Sequence, residues 1–308
     1  MGDIDLDILR GWSERTDFEL SATHALPPLA RLVRVGGQSG VVETIHGPDV
    51  LMGRHANQYG PVDMIPDGLE DHENYRLGAP HLHLTRAEDA RWRARSVSPR
   101  AYTAIDGQGL SATDGPVEIS DGAHLTLGVV EYRFEITSTS LEEWTSERSD
   151  LLARSGGPSL FLMLRGGPTD VWYELDPDTS CVVGRSFPEP GELLRVAPWD
   201  ELDQPDWDLS ALPEGLRKFV AYRHAEVVFH DGAWWVRSLA NRHRTYVNRE
   251  VFDDHSRLTS GDDVGLGSTL LLFHAPDQEE AVPRPIEPPA VLNWQEDSSP
   301  ILDEEDEP

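Results

Sequence analysis

The chain has 308 residues, with 26 Lys+Arg against 55 Asp+Glu, a net charge of −29 and a single cysteine. A field of that sign repels nucleic acid and anionic lipid, so neither is an expected partner. One cysteine excludes an internal disulfide and fits a reducing cytoplasm, and the length suits two domains of ordinary size.

Residues 1–27 are an acidic leader with no apolar run of signal-peptide length, in which Thr16 stands among acidic residues. No stretch approaches the length of a membrane span, so the protein is expected to be cytoplasmic. The first domain is placed at residues 28–138. Apolar stretches at 32–35 and 41–45 flank a Gly36-Gly37 turn, a hairpin pattern, and 50–54 is the next strand, ending on Arg54. Residues 55–76 carry Pro61, Pro66 and Gly68 and read as a long loop. Strands follow at 81–84, 103–105, 117–119, 125–127 and 129–136. In the linker, residues 139–157, the spacing of Trp144, Leu151 and Leu152 allows a short helix before Gly156-Gly157-Pro158 breaks it.

The second domain, residues 158–275, opens with strands at 160–164, 171–173 and 182–185. Residues 186–222 form a long polar insertion in which Trp207 marks a short strand. Alternation in Ala225-Val227-Phe229 and in Trp234-Val236, around His230-Asp231-Gly232, predicts a tight hairpin. Strands at 245–247, 264–267 and 269–273 close the domain. Many short strands between turn residues predict an all-β sandwich or barrel. Cys181 reads as a small buried residue. Residues 276–308 are Pro- and acid-rich and are predicted to be a disordered tail.

One stretch occurs twice. Residues 92–106 lie without gaps over residues 234–248: Trp92 over Trp234, Arg95 over Arg237, Ser96 over Ser238, Arg100 over Arg242 and Thr103 over Thr245. The wider order repeats too. Gly53-Arg54, His81, Trp92, Gly122 and Leu127-Gly128 are followed by Gly184-Arg185, His224, Trp234, Gly261-Asp262 and Leu266-Gly267. A period this long marks two copies of one domain rather than a solenoid.

Each copy resembles a forkhead-associated (FHA) domain, over roughly residues 28–138 and 158–275. That family carries Gly-Arg after an early strand, then Ser-x-x-His, Trp, a run ending Asn-Gly-Thr-x-Val-Asn-Gly, Leu-x-x-Gly-Asp and a closing Leu-Gly pair. The resemblance implies two β-sandwiches in tandem, joined by a short helical linker, that bind phosphothreonine peptides. It also implies roles. The arginine and the serine hold the phosphate, the first asparagine holds the peptide main chain, and the histidine braces the loops.

Carried over, Arg54 and Arg185 take the arginine slot, and His81 and His224 the bracing slot. The serine slot holds Gly78 or Ala221, and the asparagine slot Ala101 or His243. Losing one charge-assisted hydrogen bond costs roughly 1.5–3 kcal/mol. Two such losses weaken binding by more than about a hundredfold. Copy one, with Arg54 and Arg100, is therefore expected to be a phosphate-blind structural copy. In copy two, Arg185, Arg223, Arg242, His243, Arg244 and Asn248 form the candidate anion site. This cluster either rebuilds the site with different donors or pairs with the chain's own carboxylates.

The chain carries no Ser-His-Asp order, paired-carboxylate motif, Walker loop or Rossmann fingerprint. His81 and His83 offer two metal ligands without a third, so neither metal nor cofactor is expected. The expected function is a non-catalytic protein-binding adaptor with weakened or lost phosphate dependence. The alternative is a structural subunit of a larger bacterial signalling, secretion or defence complex.

Overall fold

The computed structural model describes residues 26–36, 41–54, 62–66, 69, 71–87, 89–186, 204–212, 217, 219–240, 243–252 and 254–278. Thr16 and the rest of the leader up to residue 25, the insertion at 187–203, Arg242 and the tail from 279 lie outside them.

The first sandwich is built from β1 (Ala30–Val35), β2 (Val42–Ile45), β3 (Asp49–Met52), β4 (Leu82–Arg86), β5 (Trp92–Ser96), β6 (Thr103–Ile105), β7 (Gln108–Leu110), β8 (Val117–Ile119), β9 (His124–Leu127) and β10 (Val130–Ile136). They form two sheets, β2-β1-β10-β9-β6-β7 and β3-β4-β5-β8. Period-two alternation sets their inner faces: Val130, Tyr132 and Phe134 of β10 and Trp92 and Ala94 of β5 point inward. The Trp92 and Phe134 rings meet edge-on with centroids 5.6 Å apart.

The second sandwich repeats this topology with β11 (Ser159–Leu164), β12 (Gly167–Glu174), β13 (Cys181–Gly184), β14 (Trp207–Asp208), β15 (Ala225–His230), β16 (Ala233–Ser238), β17 (Thr245–Val247), β18 (Glu250–Val251), β19 (His255–Leu258), β20 (Asp263–Leu266) and β21 (Thr269–His274). Its sheets are β12-β11-β21-β20-β17-β18 and β14-β13-β15-β16-β19. The β15–β16 hairpin turns through Asp231 and Gly232, both left-handed at φ 51° and 74°, as the Asp-Gly pair predicts. Strand β14 pairs in parallel with β13, and a single parallel bridge, Met52 to Met64, holds the same place in the first sandwich.

Three strands were not legible in the sequence: β7, β18 and β19. Each is short and mostly polar. The loop expected at 55–76 contains one helical turn, α1 (Asp71–Asn74), pinned by a 2.5 Å ion pair from Arg34 to Glu73. The predicted linker helix is α2 (Leu141–Leu152). Ser140 caps it by accepting from the Glu143 amide at 3.0 Å, and Gly156, left-handed at φ 71°, ends the short turn that follows. No helix among the described residues is long and apolar enough to cross a membrane.

The apolar runs Leu160 to Met163 and Leu270 to Phe273 do not alternate, and the fold shows why. Leu160, Leu162, Leu271 and Phe273 belong to the second core. Phe161 and Leu272 face the other way and are continuous with the first core, beside Trp144, Leu151 and Leu152 of α2. The β11–β21 layer is thus buried on both faces, and the two sandwiches share an extensive interface.

Candidate functional site

Each sandwich builds the same junction from three loops around a buried histidine. In the first, the Arg54 amide donates to the Gly78 carbonyl at 2.9 Å and the His81 amide to Met52 at 2.8 Å. The Gly78 amide donates to His81 Nδ1 at 3.0 Å. Nδ1 must therefore be bare, and Nε2 carries the proton it donates to the Tyr102 carbonyl at 3.1 Å. Burial lowers the His81 pKa to about 4, which keeps the ring neutral.

The second junction matches bond for bond. The Arg185 amide donates to Ala221 at 3.1 Å and the His224 amide to Val183 at 2.9 Å. The Ala221 amide donates to His224 Nδ1 at 3.0 Å, and Nε2 donates to the Arg244 carbonyl at 3.2 Å. Burial again lowers the pKa to about 4. Hydroxyl pairs repeat as well, Ser96 with Thr103 at 3.0 Å and Ser238 with Thr245 at 2.8 Å. The glycine before each arginine is sterically required. A Cβ on Gly53 would stand 2.7 Å from the Gly78 carbonyl oxygen, and one on Gly184 2.0 Å from that of Tyr222.

The rims those junctions present are different. In the second sandwich, Arg185 is half-buried, with its guanidinium carbon 5.2 Å from the centre of the Tyr222 ring. Its Nε is buried without a hydrogen-bond partner. Arg223 and His243 are half-buried and Arg244 is exposed. The His243 ring stacks 6.5 Å from His224 and meets Phe219 edge-on at 6.0 Å. The fold thus brings Arg185, Arg223, His243 and Arg244 to one end of the sandwich. Among the described residues neither Arg185 nor Arg244 is in an ion pair. Asp208, paired in register with Gly184, is engaged elsewhere, accepting from the amides of Ser186 at 2.7 Å and Ser210 at 2.8 Å.

Asn248 corrects the sequence reading. It does not join this cluster but sits in the β17–β18 turn, at the other end of strand β17 from His243 and Arg244. Its side chain donates to Asp262 at 2.7 Å and accepts from the Asp263 amide at 3.0 Å. Asp106 makes the same turn bond in the first sandwich, accepting from the His124 amide at 2.8 Å. Both are turn-closing residues.

In the first sandwich Arg54 is half-buried, with its Nε also lacking a partner. Arg100 is exposed on the neighbouring loop. A Cβ on Gly78 would lie 2.5 Å from both Cβ and Oγ of Ser98, so no side chain fits there. The Ser98 hydroxyl instead accepts from the Ala101 amide at 3.1 Å. Around this junction stand Tyr75, Tyr102 and Val129, each more than half exposed. That apolar rim was missed in the sequence because Tyr75 and Tyr102 lie in loops and Val129 stands at the edge of the 129–136 run, off its apolar face. His81 and His83 do not share a site. His83 bonds Asp49 at 3.0 Å while His81 is committed to its loops, and the described residues hold no cluster of three metal-ligating side chains.

Residues 181–267 match the family model of the FHA domain. No curated protein matches the sequence. Among solved structures, the FHA domain of the CT664 protein from Chlamydia trachomatis aligns at 18% identity, covering 38% of this chain and 96% of its own, with a TM-score of 0.28. The N-terminal FHA domain of S. cerevisiae Rad53p, in complex with a phosphothreonine peptide, aligns at 16% identity over 35% of this chain and 94% of its own, with a TM-score of 0.29. The FHA domain of an Arabidopsis thaliana protein aligns at 16% identity over 39% and 93%, with a TM-score of 0.30.

Proposed function

We propose, from the premise that residues 181–267 are an FHA domain, that this chain is a non-catalytic protein-binding adaptor. Its second sandwich receives a peptide bearing phosphothreonine, with weakened dependence on the phosphate. A phosphothreonine brings close to two negative charges and strong acceptor oxygens. A guanidinium fork with open donors is the side chain suited to hold them. The observation that carries this reading is Arg185, held by its backbone at the rim with Nε unsatisfied and no carboxylate partner among the described residues. Arg223, His243 and Arg244 supply further positive or donor groups. Ala221 offers no hydroxyl, which is why the phosphate contributes less than a full donor set would provide.

A second reading applies to the first sandwich. Its rim exposes Tyr75, Tyr102 and Val129 rather than clustered donors, which favours a phosphate-independent assembly surface there.

Calorimetric titration of threonine peptides, with and without phosphate, tests the proposal on the wild type and Arg185→Ala. Phosphate is expected to strengthen binding about tenfold, the worth of one charge-assisted hydrogen bond, and the substitution to remove that increment. Binding indifferent to both changes sinks the phosphate-dependent reading.

A further inference from the structure

The turn after β6 and the turn after β17 correspond. Both begin with a left-handed residue, Asp106 at φ 49° and Asn248 at φ 50°. The next position is Gly107 at φ 79° in the first sandwich but Arg249 at φ 66° in the second. A left-handed non-glycine residue costs roughly 1–2 kcal/mol, so something must hold Arg249 there. Its guanidinium reaches into the first sandwich and bonds Asp63 at 2.5 Å, with Asp49 at 3.8 Å. A second left-handed arginine, Arg165 at φ 53°, does likewise from the β11–β12 turn. Its amide donates to the Asp63 carbonyl at 3.1 Å, its carbonyl accepts from the His46 amide at 2.9 Å, and its guanidinium pairs with Glu43 at 3.1 Å. The backbones are in close contact, since a Cβ on Gly47 would overlap the Gly166 carbonyl.

We propose that Arg165 and Arg249 lock the two sandwiches into one body, and that protonation of the acidic cluster around Arg249 sets how tightly the lock closes. Six charged or titratable groups converge there. They are Asp49 on β3, Asp63 beside the Met64 bridge, Asp263 on β20, Arg148 on α2 and Arg249 itself, with His83 on β4 bonded to Asp49. The cluster is not saturated by hydrogen bonds, for Nε and Nη1 of Arg249 are buried without partners. Asp263 is partly covered as a residue and its carboxyl is enclosed. Burial first, then the neighbouring Asp63, raise its pKa from 3.8 to about 7, against the opposing pull of Arg249. Burial raises Asp63 as well.

The sign follows from linkage. The closed form holds a proton between pH 3.8 and about 7 that the opened form has released. Acid therefore tightens the lock. Opening rises by up to about tenfold per pH unit as pH climbs through that window, and it levels off above it.

Amide hydrogen exchange on the full chain, corrected for intrinsic rates, reads this directly at the interface amides of His46 and Arg165. In the wild type their protection is expected to fall by up to about a hundredfold from pH 5 to pH 7 and then flatten. Asp263→Asn, which mimics the protonated carboxyl at equal size, is expected to reduce that slope, leaving only the part that Asp63 contributes. Arg249→Gly relieves the turn, so it is expected to lower protection at these two amides while amides inside β15 and β16 keep theirs. A wild-type profile flat in pH, a slope undiminished in Asp263→Asn, or full interface protection in Arg249→Gly would each overturn the proposal. None of these outcomes depends on peptide binding.

Discussion

The two sandwiches keep the same hydrogen bonds around His81 and His224 but not the same side chains at the rim. The first presents Tyr75, Tyr102 and Val129 to solvent, beside a Gly78 position that Ser98 has closed. The second gathers Arg185, Arg223, His243 and Arg244, with rings from Tyr222 and Phe219 packed among them. The contrast separates two tasks that one motif combines. Bracing needs a buried neutral imidazole between three loops, and both copies retain it. Anion capture needs basic donors at the rim, and the second copy groups more of them than the first, which has Arg54 and Arg100. The histidine shared by both copies is thus explained by folding, and the grouping of Arg223, His243 and Arg244 beside Arg185, which the first copy does not repeat, is the candidate for binding.

The comparison is easiest to break at its shared part. Removing either imidazole strands a buried amide and a buried carbonyl. His81→Ala and His224→Ala should each cost about 2–5 kcal/mol, lowering the melting temperature by similar amounts. A large loss in one copy alone would mean that the two junctions are not equivalent.

Acid probes the same rings without mutation. Both have their pKa depressed from 6.5 to about 4, so between those values the unfolded chain binds protons that the native chain does not. Stability is complete above pH 6.5 and falls as pH drops through that window, by up to about 3 kcal/mol per ring. Urea midpoints at pH 7 and pH 4.5 check this, and equal midpoints contradict it. The interdomain lock has the opposite dependence, so acid should weaken each sandwich while tightening their contact.

A smaller effect sharpens the difference between the rims. Ala221→Ser adds a hydroxyl where the second rim lacks one, and should improve phosphopeptide affinity by roughly tenfold. Gly78→Ser places the same hydroxyl against Ser98 and should destabilise the first sandwich by about 1–3 kcal/mol with no gain in binding. Titration and thermal melts of the two variants distinguish the positions.

Much of this was legible in the sequence because it is local. Gly-Arg, the histidine, the tryptophan and the Asp231-Gly232 turn are short patterns whose spacing survives in both copies. What depends on three dimensions was not. Asn248 ends a matched block, yet a three-residue strand carries it away from the rim, into a turn that Asp263 helps close. Gly78 looked like a lost serine, and only the position of Ser98 explains it. Arg249 lies one residue beyond the repeated block. Its left-handed backbone and its partner Asp63, 186 residues away in the chain, appear only once the two sandwiches are placed together. The unbroken apolar runs at 160–163 and 270–273 did carry a signal of two buried faces, unused because a single sandwich needs only one.

The central claim is that anion capture belongs to the second rim alone. Titrating the full chain with a phosphothreonine peptide while following backbone amide shifts tests it most directly. The account predicts saturable shifts at Ala221, Tyr222 and Arg244, absent in Arg185→Ala, while Gly78, Ala101 and Tyr102 stay still. Shifts of equal size and affinity around Arg54, or none around Arg185, would contradict it.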